Sequence, residues 1–157
     1  MILQHTLAPV YDENSHVLIL GSFPSPKSRE TGFYYGHKQN RFWRVLAAVF
    51  DAPAPQTNAE KEAFVRSRGI ALWDVCASCE IAGASDASIK NVTPNDFDVI
   101  TSVADIRAVF TTGKTAFELY EKHTGKTALL LPSPSPANCA VPTDALVDAY
   151  RAICAYL

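Results

Sequence analysis

The sequence predicts an α/β fold, a three-layer α/β/α sandwich around a central four-stranded parallel sheet. Three observations carry this expectation. Four short apolar runs, HVLIL, IALWDV, the segment Ile106–Phe110 and TALLL, are each bounded by turn residues, the signature of strands buried on both faces. Segments of helical period separate them, which is the alternation that builds parallel sheets. At 157 residues, with 48% hydrophobic and 19% charged residues, the chain fits one domain spanning 1–157 with a real core.

In chain order, Met1 to Ser15 is mixed and ends in the polar turn DENS. His16–Leu20 is the first strand, and Gly21 opens a long loop. From Asn40 the spacing of Phe42, Val45, Leu46, Val49 and Phe50 gives a helix that DAPAP stops. Thr57 and Glu60 have capping-box spacing and open a polar helix that runs to Arg68, before Gly69. Ile70–Val75 is the second strand, and Cys76 to Ser88, small and polar, reads as loop. Pro94 begins a short helix through Phe97 and Ile100, Ile106–Phe110 is the third strand, and Thr111 to His123 is a helix. Thr127–Leu131 is the fourth strand, PSPSPAN an ordered loop, and a last helix from about Thr143 buries Leu146, Val147, Tyr150, Ile153, Cys154 and Leu157. Ligands of such sheets sit outside the carboxyl ends of the strands, so the loops from Gly21, from Asp74, at TTGK and at PSPSPAN gather on one rim.

Charge singles out one of those loops. Gly21–Leu46 holds Lys27, Arg29, Lys38, Arg41 and Arg44 against Glu30 alone, and six of the sixteen aromatics, in a chain whose formal net charge is −2. A localised basic, aromatic loop suits a nucleic-acid backbone and an unstacked base. The overall charge and a pI near 6.0 argue against a protein that coats nucleic acid non-specifically. No run reaches membrane-span length and MILQHTLAPVYDEN lacks signal-peptide regions, so a cytoplasmic protein with reduced cysteines is expected.

The first motif, GSFPSPKS followed by TGFYYGHKQNRFW, together with IALWDV and the loop LPSPSPAN, resembles the uracil-DNA glycosylase superfamily. It is similar to the mismatch-specific uracil-DNA glycosylases, and most similar to the hypoxanthine-DNA glycosylase branch, whose first motif reads Gly-Ser-x-Pro. The resemblance implies a monomeric repair enzyme without cofactor. It would act on double-stranded DNA containing a deaminated base and hydrolyse the N-glycosidic bond of the flipped nucleotide. Phe23 stands where relatives place a catalytic Asn or Asp, and the resemblance transfers the catalytic amide to Asn40. It places Tyr35 as the stacking aromatic, and Gly21, Ser22, Phe23 and Ser133 around the base. Pro24, Ser25, Lys27, His37, Arg41 and Lys114 are assigned to DNA contacts, with Ser135, Pro136, Ala137 and Asn138 as the loop that probes the minor groove. Ser25 departs from the family's glycine.

Other readings of these residues stand beside those. Asn40 lies at a helix start and suits an N-cap, a role compatible with chemistry. Tyr34, Phe42 and Trp43 read as core or loop anchors, and His37 as either a phosphate contact or a solvated loop residue. Gly113-Lys114-Thr115 ends like a phosphate-binding loop, but that motif's first glycine would fall at Ala108. Cys76, Cys79, Cys139 and Cys154 could in number hold a metal, yet Cys154 falls on the apolar helix face, so no metal is assigned. Uracil or mismatch excision is the alternative activity. A damaged-DNA binding module is the non-enzymatic one, because a phenyl ring at position 23 cannot activate water.

Overall fold

The computed structural model describes all of residues 1–157 and contains two sheets. The larger is parallel, with strands β2 (Val17–Gly21), β3 (Ile70–Asp74), β6 (Ala108–Thr112) and β7 (Leu129–Leu131) in the order β3-β2-β6-β7. β2 and β3 are buried along their whole length, as continuous apolar runs in a covered parallel sheet should be. Helices α2 (Phe42–Val49), α3 (Asn58–Arg66), α5 (Lys114–Thr124) and α6 (Thr143–Tyr150) flank this sheet. Phe42, Val45 and Leu46 of α2 and Leu146, Tyr150 and Ile153 near the C-terminus are fully buried beneath it. The four-stranded parallel α/β architecture expected from the sequence is present. No helix is long and apolar enough to cross a membrane.

The segment expected to be loop from Cys76 to Ser88 is instead a β-hairpin. β4 (Cys76–Ala82) and β5 (Ser85–Pro94) pair antiparallel around Gly83, whose φ is +59°, and β1 (Leu3–Gln4) joins on the other edge of β4. Alanine, serine and cysteine are poor strand markers, and three register shifts break the two-residue alternation by which a strand is recognised. Pro94, expected to begin a short helix, instead ends β5, and the helix that follows is a single turn, α4 (Asp98–Thr101).

The third strand extends further than expected, through Thr111 and Thr112. The following helix starts only at Lys114, after Gly113 at φ +96°. Cys154 is exposed rather than buried. The chain passes from α6 into a 3₁₀ turn over Arg151–Tyr156, and the change from 3.6 to 3.0 residues per turn rotates that position off the apolar stripe. Thr57 caps α3 as its spacing predicts, its hydroxyl accepting from Glu60 N–H at 3.1 Å. α3 ends at Arg66, two residues earlier than expected.

Candidate active site

β2 ends opposite β3 with Gly21 in register with Asp74, and β6 runs alongside β2 to finish at Thr112. Three strand ends therefore meet at one rim, and a cavity of about 120 Å³ opens there. It has room for several waters or for one flat base. The first loop, the hairpin tip, Thr112 and the 133–135 turn wall it.

The first loop is built by side chains that close on its own backbone. Ser25 is extended, at φ −62° and ψ 161°, so this position requires no glycine. Its hydroxyl accepts from Ser28 N–H at 3.1 Å and caps α1 (Pro26–Thr31). Buried Ser28 in turn accepts from Gly36 N–H at 3.0 Å, drawing the loop back on itself. Tyr34 donates to Ala8 O at 2.8 Å, and the Trp43 indole donates to Tyr34 O at 3.0 Å, so both are anchors. Tyr35 adopts φ +54°, which turns its ring flat onto Phe42, with centroids 3.9 Å apart and planes within 12°. One face of Tyr35 is thus backed by the core while the residue lines the cavity.

Asn40 also lines the cavity. Its Oδ1 accepts from Phe42 N–H at 2.9 Å at the entry to α2, whose N-cap is Arg41, so Asn40 lies one residue ahead of the cap position expected for it. A backbone N–H can only donate, so the oxygen of the amide is fixed on that side. The Nδ2 amine is left without a protein partner and is available to the cavity as a donor.

The second loop is tied to the first. Arg41 N–H donates to Pro134 O at 3.0 Å, and the Arg41 guanidinium donates to Val141 O at 2.6 Å and to Asn138 O at 3.1 Å. Asn138 Nδ2 donates to Ser133 O and the Tyr150 hydroxyl to Pro132 O, at 2.9 and 2.8 Å. Ser133 Oγ accepts from Ser135 N–H, and Ser135 Oγ from Ala137 N–H, starting a 3₁₀ turn at Pro136.

Of the residues singled out in the sequence, Gly21, Ser22, Phe23, Pro24, Ser25, Tyr35, Asn40, Ser133 and Ser135 line the cavity. Lys27, His37, Arg41, Lys114, Pro136, Ala137 and Asn138 lie outside it. Arg41 and Pro136 line a neighbouring groove of about 380 Å³ with Lys38, Gln39, Arg44 and Cys139. Lys27 pairs with Glu30 at 3.4 Å, Lys114 is exposed at the start of α5, and exposed His37 accepts from Gln39 N–H. Phe23 packs with buried Cys76 and Cys79, under the Arg29 guanidinium. No three His, Cys, Asp or Glu side chains are grouped as a metal-binding set.

The comparisons with known proteins fall on this same framework. Residues 8–154 match the family model described as the uracil DNA glycosylase superfamily. The chain belongs to that superfamily. It is 36% identical over 136 residues to a hypoxanthine DNA glycosylase of Methanosarcina barkeri, a stretch covering 83% of this chain and 85% of that one. It is 34% identical over 134 residues to a protein of the same name from Methanosarcina acetivorans, covering 82% and 84%. The solution NMR structure of a candidate uracil DNA glycosylase from M. acetivorans superposes with a TM-score of 0.78 at 28% identity, over 98% of this chain and 99% of that one. The protein is accordingly a DNA glycosylase.

The glycosylase cavity also contains acidic groups that the motif reading missed. Asp74, only 6% exposed at its side chain, binds His5 Nε2 through Oδ2 at 2.8 Å, and the His5 side chain is itself 4% exposed. Asp86, on the hairpin, turns its carboxylate inward to accept from the Ser22 hydroxyl at 2.8 Å. Although Asp86 as a residue is exposed, its carboxyl is raised above its ordinary range by partial desolvation against the cavity wall, an effect the Ser22 hydrogen bond opposes and the charge of Asp74 reinforces. Asp74 had a signal in the sequence, as the one charged side chain in the otherwise apolar IALWDV. His5 had none, because its partner is 69 residues away.

Proposed function

We propose that this glycosylase excises hypoxanthine from deoxyinosine in duplex DNA by monofunctional hydrolysis. The observation that carries the reading is the disposition of Asn40, whose oxygen is held by Phe42 N–H so that its amine is free for the cavity. The names borne by the two Methanosarcina relatives support hypoxanthine as the base. No lysine lines the cavity, which supports direct attack by water rather than a Schiff base.

In this mechanism the nucleotide is extruded from the helix at a cost of a few kcal/mol. Contact with Tyr35, whose ring is fixed against Phe42, offsets part of this cost. The C1′–N9 bond breaks with its electron pair passing to the base, while positive charge develops on the sugar. Asn40 Nδ2 donates to the departing base and the Asp86 carboxylate stabilises the cationic sugar, a division that uses preorganised electrostatics in place of a titrating base. Water then bonds to C1′, and its proton passes through solvent to the base. Phe23 closes the side where relatives carry an amide or acid. Lys38 and Arg44, in the groove beside the cavity, join Lys27, His37, Lys114 and the 135–138 loop in gripping the strand, with Arg41 bracing that loop.

The test is excision by the purified protein on matched duplexes carrying one deoxyinosine, deoxyuridine or deoxyxanthosine, read by alkaline cleavage. Preferential cutting at deoxyinosine is expected. Cutting mainly at deoxyuridine would overturn the substrate, and no cutting at any of the three would overturn the proposed lesion class.

A further inference from the structure

Three polar groups converge on one point at the cavity floor, above Gly21. A Cβ at that glycine would lie 2.5 Å from Asp74 Oδ1, 3.5 Å from the Tyr35 hydroxyl and 3.7 Å from Thr112 Oγ1. Gly21, Asp74 and Thr112 end adjacent strands of the parallel sheet, so the convergence is fixed by rigid elements.

The proton inventory at this point is set by the surroundings. Asp74 Oδ2 is held by buried His5, and Oδ1 has no protein partner, which leaves one acceptor facing the floor. Tyr35 and Thr112 share one hydrogen bond of 3.0 Å between two hydroxyls, so one O–H of the two remains to donate. Burial, reinforced by the negative charge of Asp74, pushes the Tyr35 phenol well above its ordinary value and keeps that proton in place. The floor thus presents an acceptor beside a donor.

We infer that this cup reads the lactam edge of a deaminated base, with Asp74 Oδ1 accepting the ring N–H and the Tyr35–Thr112 pair donating to the adjacent carbonyl oxygen. Deamination converts an amino group beside a bare ring nitrogen into a carbonyl beside a ring N–H. Hypoxanthine and uracil both carry this edge, and adenine and cytosine carry its inverse. Because the sugar and phosphates fix how the flipped base enters, the two groups cannot exchange places. Adenine would set a lone pair against Asp74 and an amine against the hydroxyl, and sites built on such hydrogen bonds discriminate strongly. Guanine and thymine share the lactam edge, so the cup separates each lesion from its own parent, and their exclusion falls to the fit around the rest of the base. Asp74 is then a specificity-determining residue, and His5 the positioning residue that holds it. The inference rests on the proposed excision reading only for the class of base, not for hypoxanthine itself.

The experiment measures binding as well as cutting, so that the two ideas fail separately. Duplexes carry deoxyinosine or deoxyadenosine opposite an abasic site, which leaves either base unpaired, and a third duplex carries a tetrahydrofuran abasic analogue in place of the test base. The wild type is expected to bind deoxyinosine over deoxyadenosine by roughly tenfold or more. In Asp74→Asn the amide oxygen turns to His5 and its amine faces the ring N–H, so that ratio falls to about one while affinity for the base-free duplex is unchanged. Tyr35→Phe keeps the ring and removes only the hydroxyl, and is expected to reduce the ratio in the same direction. Excision of the lesion the wild type cuts best is expected to fall by roughly 100-fold in Asp74→Asn. A wild type without preference, or an Asp74→Asn protein that keeps the wild-type ratio, overturns the inference whatever the excision assay shows. Cutting at deoxyuridine instead of deoxyinosine would overturn the proposed substrate, and the Asp74 effect must then appear on deoxyuridine.

Discussion

Replacing Asn40 separates its two roles, because the structure assigns them to different atoms. In Asn40→Ala both are lost. Without Oδ1 the Phe42 N–H has no acceptor, and loss of such a helix-entry bond costs about 1 kcal/mol. For a protein of this size that lowers Tm by roughly 2–4 °C. Without Nδ2 the departing base loses one preorganised donor, a loss of about 100- to 1,000-fold in rate where charge develops. Asn40→Asp restores the acceptor and not the donor. Its Tm is therefore expected to match or exceed that of the wild type, since a carboxylate is favoured at a helix N-terminus. Its excision is expected to be at least as impaired as that of Asn40→Ala, because a carboxylate opposes a base gaining negative charge. Single-turnover excision with alkaline cleavage and a thermal melt of each variant decide the matter. An Asn40→Asp enzyme within about tenfold of wild type would refute the donor role, and an Asn40→Ala protein with unchanged Tm would refute a stabilising helix-entry bond.

Other consequences can be checked with the same assays. Gly21→Ala places a Cβ 2.5 Å from Asp74 Oδ1, so the carboxylate must shift; excision is expected to fall by roughly 100-fold, as misplacement of about 1 Å does elsewhere, and normal activity would contradict the close approach. Thr57→Ala removes the α3 cap and should lower stability by about 1 kcal/mol with excision unchanged. Titration of the native protein with a thiol reagent should find Cys139 and Cys154 reactive and Cys76 and Cys79 protected, because burial holds the latter two thiols up and protonated. By the same sign, the stability these buried thiols contribute is complete below the ordinary thiol value near 8.5 and declines as pH rises beyond it, a slope that Cys76→Val should reduce in melts above pH 9.

The apolar strands of the parallel sheet were readable in the sequence because burial on both faces leaves continuous runs such as Val17–Leu20 and Ile70–Trp73. The hairpin was hidden because its strands are rich in small residues and interrupted by register shifts. Threonine was ambiguous at the end of the third strand. By sequence Thr111 and Thr112 fall in the following helix, which hides the hydroxyl that Thr112 contributes to the cavity floor. Asn40 and Tyr35 were found through the resemblance of a long motif. Asp74 could have been found without it, since an ionisable side chain at the end of a strand buried on both faces calls for a partner or a function. Its partner His5 belongs to contacts that only the folded chain creates. Ser25 stands where glycine is usual in the family, and its hydroxyl caps α1.

The most direct test of the account is to identify what the wild-type protein releases from a duplex containing one deoxyinosine. Free hypoxanthine is expected by mass spectrometry, in equal amount to the alkali-labile sites formed, with the strand intact until alkali is added. Unreacted deoxyinosine, or a strand already broken before alkali, would contradict it.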